Sequence, residues 1–396
     1  MKIGLLTNVF FPVTNGVVHS IHLLAKGFRE LNGQVDVLSS KHPKFSYEII
    51  EKYGINYNLI KIPSIYFPKF DYCIPNPLLT KKELKKISPK FDIIQINHPF
   101  VIFKISKFLK KLNPFSKIVF VYHTQYEQYH HYVRFIPKNI YQRFLDSHIK
   151  EVFEFVDMVI FPSESIKRSL EEKFKKYSNK FHFISNPVDL NHLKNYNESF
   201  VKDLREKYGL ENNFVMGFVG RIEKEKNLYS LLELFKQTLE FFKNNHKNNI
   251  KLIIVGDGTQ LNGLIKFSQD LNIKDYVIFT GKVNYSEISN YYALMDVFVT
   301  LSLTEVKPLA YLESLAMGVP ILALNTPGAD DLIVNEYNGF LVSYTDNYKQ
   351  KFIEYIHSLY ENRELLERVK ENSISSVKEY NYLEVAKKYL KIYENL

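Results

Sequence analysis

The chain has 396 residues, 45% of them hydrophobic, which is long for one domain and sufficient for two sizeable cores. A net charge of +9 leaves three kinds of anionic partner open: phosphorylated substrates, an anionic membrane or nucleic acid. The single cysteine, Cys73, excludes an internal disulfide framework. No apolar run approaches the ~18 residues of a membrane span. Asn8 and Pro12 interrupt the N-terminus too early for a secretory signal.

Strands and helices alternate through the first half of the chain. The predicted strands are Lys2–Thr7, Val35–Leu38, Asp92–Asn97, Lys117–Tyr122, Asp157–Phe161 and Phe181–Ser185. Helices are predicted over Val17–Leu31, Phe100–Leu112, Asn139–Phe155 and Glu164–Lys176, where apolar residues recur at helical spacing. Continuous apolar strands separated by helices indicate a parallel sheet covered on both faces.

The pattern breaks at Asn186-Pro187-Val188-Asp189 and restarts after a polar stretch. The second set of predicted strands is Phe214–Val219, Lys251–Val255, Tyr276–Thr280, Asp296–Thr300 and Val319–Leu324, with helices beginning near Asn227, Thr259, Tyr285, Pro308 and Ala329. We therefore expect two α/β domains, 1–190 and 191–376. The amphipathic segment 377–396 is long enough to cross back to the first domain.

Candidate ligand groups of the first half follow strand ends. Asn15-Gly16 is a turn dipeptide after the first strand, and it would let the backbone approach a ligand closely. His123 stands just past the apolar strand that ends at Tyr122. Open α/β sheets place functional groups at this carboxyl edge. An ordinary turn and a structural histidine are the alternatives.

Candidate cations of the second half lie between a strand and a helix. Arg221 and Lys226 precede a helix that begins near Asn227, and a cationic loop at a helix N-terminus suits a diphosphate. A solvated charged turn is the alternative, because acidic residues interleave. Gly256-Asp257-Gly258 lacks the full G-x-G-x-x-G fingerprint, so a nicotinamide site is poorly supported.

Two carboxylates, Glu305 and Glu313, are eight positions apart. Pro308 can open a helix between them, which places Glu305 in the preceding loop and Glu313 about one and a half turns into the helix. The helix N-terminus suits phosphate, whereas carboxylates accept hydrogen bonds from sugar hydroxyls. Together they predict a ligand in which a phosphate is attached to sugars. Two solvated helix-end glutamates are the alternative.

The order and spacing of these motifs resemble retaining nucleotide-sugar glycosyltransferases of family 4, which have the GT-B fold. The paired glutamates match with seven residues between them, and the match continues through Ser314–Pro320. The segment Gly220–Asn227 resembles the family's diphosphate-binding segment. The stretches Asn15–Ile21 and His123–Tyr132 resemble the subgroup that glucosylates diacylglycerol.

The resemblance implies an α/β architecture of two facing Rossmann-like domains, with the last helix packed on the N-terminal domain. Residues 1–190, completed by 377–396, would bind the acceptor, and residues 191–376 would bind the nucleotide sugar. The implied catalytic residues are Glu305, which would hold the transferred sugar, and His123 beside it. The implied donor-binding residues are Gly16, Arg221, Lys226, Val283, Leu309, Ala310 and Glu313, with Glu313 on the ribose.

One segment departs from the family pattern. Val306-Lys307-Pro308 replaces residues that are often glycine-rich, and Pro308 cannot donate a backbone N–H. The amides of Leu309 and Ala310 remain available. We find no D-x-D motif, and no cysteine or spaced carboxylate completes a metal site with His130 and His131. We therefore expect no metal and no cofactor besides the donor substrate, expected to be UDP-glucose.

A basic segment has a one-sided charge. No acidic residue occurs between Asp92 and Glu127, where apolar residues are interleaved with Lys104, Lys107, Lys110 and Lys111. A basic amphipathic helix with aromatic residues is typical of an anionic membrane surface. An ordinary helix that covers the sheet with its apolar face is the alternative.

The expected function is transfer of a hexose, with glucose favoured, from a UDP-sugar to a membrane lipid such as diacylglycerol at the cytoplasmic face of the membrane. The same fold acting on a soluble sugar or polysaccharide is a second possibility. A basic membrane- or nucleic-acid-binding module is a third. Surface binding does not require ordered glycines, cations and paired glutamates, so no nucleic-acid partner is expected.

Overall fold

A computed structural model describes residues 1–68, 72–87, 90–127, 136–247, 249–303 and 305–396. The chain forms two compact units, Met1–Val188 with Tyr380–Leu396, and Asp189–Glu379. The outgoing and returning chain segments pair where they leave the first unit. Val188 N–H donates to the Tyr380 carbonyl at 2.9 Å, and Tyr382 N–H donates to the Val188 carbonyl at 3.0 Å. This pairing places the two boundaries at 188 and 380, whereas the sequence predicted 190 and 377.

The first unit is built on a parallel sheet. Within the described residues its strands are β1 (Lys2–Thr7), β2 (Gln34–Ser40), β3 (Asn58–Ile62), β6 (Ile93–Ile96), β7 (Lys117–Val121), β8 (Met158–Phe161) and β9 (Phe181–Phe183), in the order β3-β2-β1-β6-β7-β8-β9. A separate antiparallel hairpin comprises β4 (Ser64–Phe67) and β5 (Tyr72–Pro75). The helices are α1 (Gly16–Glu30), α2 (Glu48–Lys52), α3 (Pro77–Ile87), α4 (Val101–Leu112), α5 (Lys138–Phe155), α6 (Glu164–Lys173) and α16 (Tyr382–Tyr393).

The core of the first unit includes residues from the end of the chain. Val385, Ala386, Tyr389 and Tyr393 of α16 are buried in one cluster with β1 and α1. Gly27 allows this approach, because a Cβ at that position would lie 2.7 Å from the Cβ of Ala386. The predicted return of the last helix to the first domain is confirmed.

The second unit repeats the architecture. Its strands in the described ranges are β10 (Phe214–Val219), β11 (Ile250–Val255), β12 (Val277–Gly281), β13 (Val297–Thr300), β14 (Ile321–Leu324) and β15 (Gly339–Val342), all parallel, in the order β12-β11-β10-β13-β14-β15. The helices are α7 (Leu190–Lys194), α8 (Glu198–Lys207), α9 (Leu228–Asn244), α10 (Leu261–Asp270), α11 (Ile288–Tyr292), α12 (Leu309–Ala316), α13 (Pro327–Asp330), α14 (Tyr348–Glu361) and α15 (Arg363–Ser376).

Each sheet has a point where the strand order reverses. In the first unit β1 lies between β2 and β6, and in the second β10 lies between β11 and β13. Ligands of open α/β sheets bind in the crevice outside the carboxyl ends of the strands at such a reversal. The loops that follow β10 and β13 are therefore neighbours, although about eighty residues separate them along the chain.

Candidate active site

The predicted cations occupy the loop that follows β10. Arg221 is half exposed, and its Nη2 lies 2.8 Å from Oε1 of Glu225. Lys226 ends a 3-10 turn that precedes α9. The loop thus places both positive charges just before a helix N-terminus, as the sequence predicted.

Lys226 contacts one of the two predicted glutamates directly. Its Nζ lies 2.6 Å from Oε1 of Glu305, and the two side chains are only 18% and 10% exposed. Two further bonds join the same loops: Ser302 Oγ donates to the Glu225 carbonyl at 3.2 Å, and Asn227 Nδ2 donates to the Leu301 carbonyl at 3.3 Å. The parallel pairing of β10 with β13 thus builds a charge pair between distant motifs.

Gly328 packs closely against the backbone of the loop that carries Glu305. It follows β14, the next strand of the sheet, and a Cβ there would lie 2.4 Å from the carbonyl oxygen of Glu305 and 2.6 Å from that of Val306. Only a glycine permits this approach without moving the loop. Gly328 is not among the predicted site residues; the Pro327-Gly328 pair in the turn beyond β14 is the sequence signal that could have identified it.

Glu313 lies one turn into α12. Pro308 takes the N-cap position with ψ 131°, so the helix begins at Leu309 and not at the proline. The Glu313 side chain is buried, and Tyr292 Oη donates to its Oε2 at 2.9 Å. Burial raises the pKa of this carboxyl to about 7, against the opposing effect of hydrogen bonds from Tyr292 and Tyr285.

The first amides of α12 face no intrahelical acceptor. Leu309 and Ala310 occupy the first two positions, where the helical ladder does not use the N–H groups. Tyr292 Oη also lies 3.2 Å from the Ala310 carbonyl and so ties this turn to α11. Lys307, which is 3% exposed, adds a buried cation to the same loop. Anion-binding capacity therefore persists despite Pro308.

Val283 lies in the loop after β12, two residues before Tyr285. The Tyr285 ring stacks on the His192 ring with centroids 5.4 Å apart, and His192 Nε2 lies 3.2 Å from the Tyr285 carbonyl oxygen. Tyr285 is also an electrostatic neighbour of the Glu313 carboxyl. The loop of Val283 is thereby joined to the predicted ribose-binding glutamate. The sequence carried no signal for either tyrosine contact.

The Gly256-Asp257-Gly258 motif has a packing role. A Cβ on Gly256 would lie 1.9 Å from the Gly220 carbonyl oxygen, and one on Gly258 would lie 2.4 Å from that of Ile222. Glu223 completes the contact, because it accepts hydrogen bonds from the N–H of Thr259 at 3.0 Å and from its Oγ1 at 2.6 Å. The motif thus holds the loop of Arg221 in position.

Two predicted site residues belong to the first unit. Gly16 is the first residue of α1, whose N-cap Asn15 accepts a hydrogen bond from Val18 N–H at 3.0 Å. His123 follows β7, and its Nε2 lies 3.0 Å from Oδ1 of Asn97. Burial, with a further contribution from His98, lowers the pKa of His123 to about 3, so its imidazole is neutral. The other seven predicted catalytic and donor-binding residues belong to the second unit.

The structure shows which residues of the basic helix α4 are buried. Its apolar residues Phe103, Ile105 and Leu109 are buried in the core, so this face cannot enter a membrane. Lys107 forms an ion pair with Glu151 at 2.5 Å, and Lys110 donates to the Ser116 carbonyl. Only Lys104 and Lys111 of the predicted lysines are exposed. The sheet-covering alternative is confirmed for the apolar face.

The described part of the chain has neither a metal-ligand cluster nor a membrane span. No group of three or more His, Cys, Asp or Glu residues in it is arranged to hold a metal ion. No helix in it combines the length and apolarity that crossing a bilayer requires. His130 and His131, for which the sequence predicted no metal site, lie outside the described residues.

Family models match both halves of the chain. The model described as Glycosyltransferase Family 4 matches residues 14–192, and the model described as Glycosyl transferases group 1 matches residues 200–376. Among solved structures, Anabaena HepE in complex with UDP superposes with a TM-score of 0.79 at 18% identity over 100% of both chains. The sucrose-phosphate synthase of Thermosynechococcus elongatus gives 0.76 at 17% identity over 100% of this chain and 98% of its own.

Two curated relatives share most of the chain. The alpha-monoglucosyldiacylglycerol synthase of Streptococcus pneumoniae is 30% identical over 86% of this chain and 75% of its own length. The enzyme of the same name from Acholeplasma laidlawii is 27% identical over 96% of this chain and 93% of its own. At 86% and 96% of this chain, both matches extend over parts of both units.

Proposed function

The chain belongs to the family 4 glycosyltransferases with the GT-B fold. From this premise we propose that it transfers glucose from UDP-glucose to a membrane lipid such as diacylglycerol. We also propose that the transfer retains the anomeric configuration. The observation that carries the proposal is the contact between Lys226 and Glu305 at the carboxyl edge of β10 and β13. The contact joins a cation to which we assign phosphate binding and a carboxylate to which we assign binding of sugar hydroxyls.

Each donor-site residue has a chemical role on this proposal. Arg221 and Lys226 neutralise the departing diphosphate, aided by the free amides at the start of α12. Glu313 accepts hydrogen bonds from the ribose hydroxyls, and Glu305 accepts them from the transferred sugar. When the diphosphate binds, it becomes a second partner of the Lys226 ammonium. The carboxylate of Glu305 is then freer to bind sugar hydroxyls.

The choice of acceptor rests on the relatives. The S. pneumoniae and A. laidlawii proteins are named for synthesis of monoglucosyldiacylglycerol, and the A. laidlawii match extends over nearly the whole of both chains. UDP and UDP-glucose complexes of HepE support the choice of donor. The site of action is then the cytoplasmic face of the membrane, where the donor is soluble and the acceptor is embedded.

A panel of donors and acceptors tests the proposal. Radiolabelled UDP-glucose, UDP-galactose and UDP-N-acetylglucosamine are each offered with vesicles containing diacylglycerol and with soluble glucose. We expect transfer of glucose to the lipid, and an α-linkage in the product as judged by NMR. Efficient transfer to the soluble sugar in place of the lipid would support the soluble-acceptor alternative. A β-linked product would exclude retention.

Donor binding should depend on pH through Glu313. Its pKa of about 7 means that the carboxyl becomes protonated as pH falls through neutrality. A protonated carboxyl is a weaker acceptor for ribose hydroxyls than a carboxylate, so the KM for UDP-glucose should rise several-fold between pH 8 and pH 6. Steady-state kinetics across this range measures the change. Glu313→Gln should abolish the dependence, and an unchanged slope in that variant would assign it to another group.

We propose that no metal takes part in the reaction, because Arg221, Lys226 and the helix start supply the positive charge that the leaving diphosphate requires. Activity should therefore survive dialysis against EDTA within about twofold, a change below 1 kcal/mol in the activation barrier. The measurement is the initial rate of glucose transfer before and after chelation. Loss of activity that Mg²⁺ or Mn²⁺ restores would show that a metal site exists.

The membrane surface must lie elsewhere than on the apolar face of α4. We propose a patch on α3, the α3 surface, formed by Leu78, Leu79, Lys82, Lys85 and Lys86. Leu78 and Leu79 are 78% and 53% exposed, and the three lysines are exposed as well. Exposed leucines beside lysines fit an anionic interface, where each lysine contributes about 1 kcal/mol.

Reversing the three α3 lysines should weaken membrane binding. Lys82→Glu, Lys85→Glu and Lys86→Glu together change six charge units at the surface, so flotation with phosphatidylglycerol-containing vesicles should fall at least tenfold, and salt should weaken wild-type binding. The matched control reverses three exposed lysines of the second unit, Lys202, Lys274 and Lys378. Hydrolysis of UDP-glucose should be unchanged in both variants. Equal flotation of the two variants would remove the α3 surface from the proposal.

A further inference from the structure

A chain of hydrogen-bonded side chains lies beneath His123 in the first unit. Tyr393 of α16 contacts Gln95 at 2.6 Å, Gln95 contacts Asn97 at 2.9 Å, and Asn97 contacts His123 at 3.0 Å. Gln95 and Asn97 are two residues apart along the β6 direction, so their side chains point to the same face of the sheet. These hydrogen bonds thus link the last turn of α16 to His123, a candidate catalytic residue.

The orientation of the Asn97 amide is determined by the backbone of β1. Its Nδ2 lies 3.1 Å from the Leu6 carbonyl oxygen, which can only accept. The Oδ1 atom must therefore face the other way, toward Gln95 and His123, and it too can only accept. His123 Nε2 must consequently carry a proton and donate it to Asn97. In a neutral imidazole this leaves the lone pair on Nδ1.

The same logic orients the other two members. Because Asn97 Oδ1 accepts, Gln95 presents its Nε2 to Asn97 and its Oε1 to Tyr393, whose hydroxyl then donates. Tyr393 and Gln95 thus donate toward Asn97 from one end, His123 donates to it from the other, and Asn97 Oδ1 accepts both hydrogen bonds. Gln95, Asn97 and Tyr393 are each at least 97% buried, so water offers these groups little alternative partnership.

We propose that Asn97, supported by Gln95 and Tyr393, is a positioning residue that holds His123 in the Nε2-protonated neutral tautomer. The Nδ1 lone pair is then left to accept a hydrogen bond from a substrate hydroxyl. This role of His123 rests on the proposed glucosyltransferase function, whereas its tautomer does not. On this account His123 acts as a neutral hydrogen-bond acceptor and performs no acid–base step.

Electrostatics agrees with the geometry. Burial lowers the pKa of His123 to about 3, and neighbouring His98 lowers it further by charge repulsion. His98 itself has a pKa of about 4 because of burial, and its Nε2 lies 3.2 Å from Thr7 Oγ1. Both rings are neutral at any pH used to assay a glycosyltransferase. A neutral imidazole has two tautomers, and the contact with Asn97 selects one of them.

Long-range ¹H–¹⁵N correlation spectra of the full chain, labelled with ¹⁵N-histidine, measure this tautomer without donor or acceptor. His123→Gln identifies the signals of His123. We expect a protonated Nε2 and an unprotonated Nδ1 in the wild type, and a mixture of tautomers in Asn97→Ala. A wild-type protein with protonated Nδ1 would overturn the proposal, and so would a folded Asn97→Ala protein with unchanged signals.

Tyr393→Phe tests the end of the hydrogen-bonded series that is farthest from His123, and it has a matched control. Tyr389→Phe removes a hydroxyl from the same helix one turn earlier, at the same 3% exposure. Tyr393→Phe should shift the His123 signals and lower kcat about fivefold, the effect of one hydrogen bond, whereas Tyr389→Phe should leave both unchanged. Equal behaviour of the two variants would reduce Tyr393 to a packing residue. If no variant, wild type included, transfers glucose but the spectra follow expectation, the proposed function fails and the tautomer assignment stands.

Discussion

Lys226→Ala is expected to lower kcat/KM by about two orders of magnitude or more, the usual effect of losing one electrostatic stabiliser in an active site. The substitution removes the cation that contacts Glu305 at 2.6 Å and that we assign to the leaving diphosphate. Because charge on the diphosphate grows as the glycosidic bond breaks, kcat should fall more than KM rises. Initial rates of glucose transfer at several UDP-glucose concentrations separate the two.

Lys224→Ala provides the control for this prediction. Lys224 belongs to the same 3-10 turn as Lys226, but its side chain is exposed. Its removal changes the net charge equally and should leave kcat/KM within about twofold of wild type, since the effect of an exposed charge is small. Similar losses in the two variants would point to a general field effect. Near-normal turnover in Lys226→Ala would exclude Lys226 from the diphosphate site.

Gly328→Ala is expected to lower kcat about a hundredfold, because a displacement of about 1 Å at a reacting centre can cost that much. The new methyl group would lie 2.4 Å from the Glu305 carbonyl and 2.6 Å from that of Val306, so the loop carrying Glu305 must move. Gly328 itself need not touch the substrate. The substitution should therefore misplace the sugar and lower kcat both for transfer and for hydrolysis of UDP-glucose. The measurement is kcat for each of the two reactions.

The matched substitution is Gly263→Ala in α10. There the new methyl group would meet only the side chain of Tyr229, whose hydroxyl end can rotate away, and alanine favours the helix. Gly263→Ala should therefore keep full activity and thermal stability. Gly328→Ala should unfold at a temperature within a few degrees of wild type, as checked by circular dichroism. A fully active Gly328→Ala enzyme would show that the Glu305 loop tolerates displacement.

Most of the fold was predictable because buried parallel strands have a recognisable sequence pattern. Each predicted strand appears within a few residues of its position, since continuous apolar runs between helices have few other structures available. Missing from the prediction were β3, the β4–β5 hairpin and β15. β3 and β15 are edge strands of their sheets, and the first is mostly half-exposed. Such strands are stabilised by pairing with a neighbour, which a local pattern does not reveal.

The candidate site was predictable where a residue's role follows from its position after a strand. Arg221, Lys226 and Glu305 are of this kind, and their roles remain predictions until the variants are measured. Their contact was not predictable, because it depends on β10 and β13 being neighbours. The roles of Tyr285 and Tyr292 around Glu313 depend on tertiary packing alone. Helix α4 shows the limit of charge patterns, because its lysines extend from a helix whose Phe103, Ile105 and Leu109 belong to the core.

The return of α16 to the first unit has a consequence for biosynthesis. The ribosome must make Asp189–Glu379 before it makes the helix that fills the core around β1 and α1. At about 5–20 residues per second this interval lasts roughly 10–40 s. During that time the nascent first unit lacks Tyr393, and so Gln95, which contacts the Asn97 partner of His123, lacks its hydrogen bond from that hydroxyl. The half assigned to the acceptor therefore matures last, although it is synthesised first.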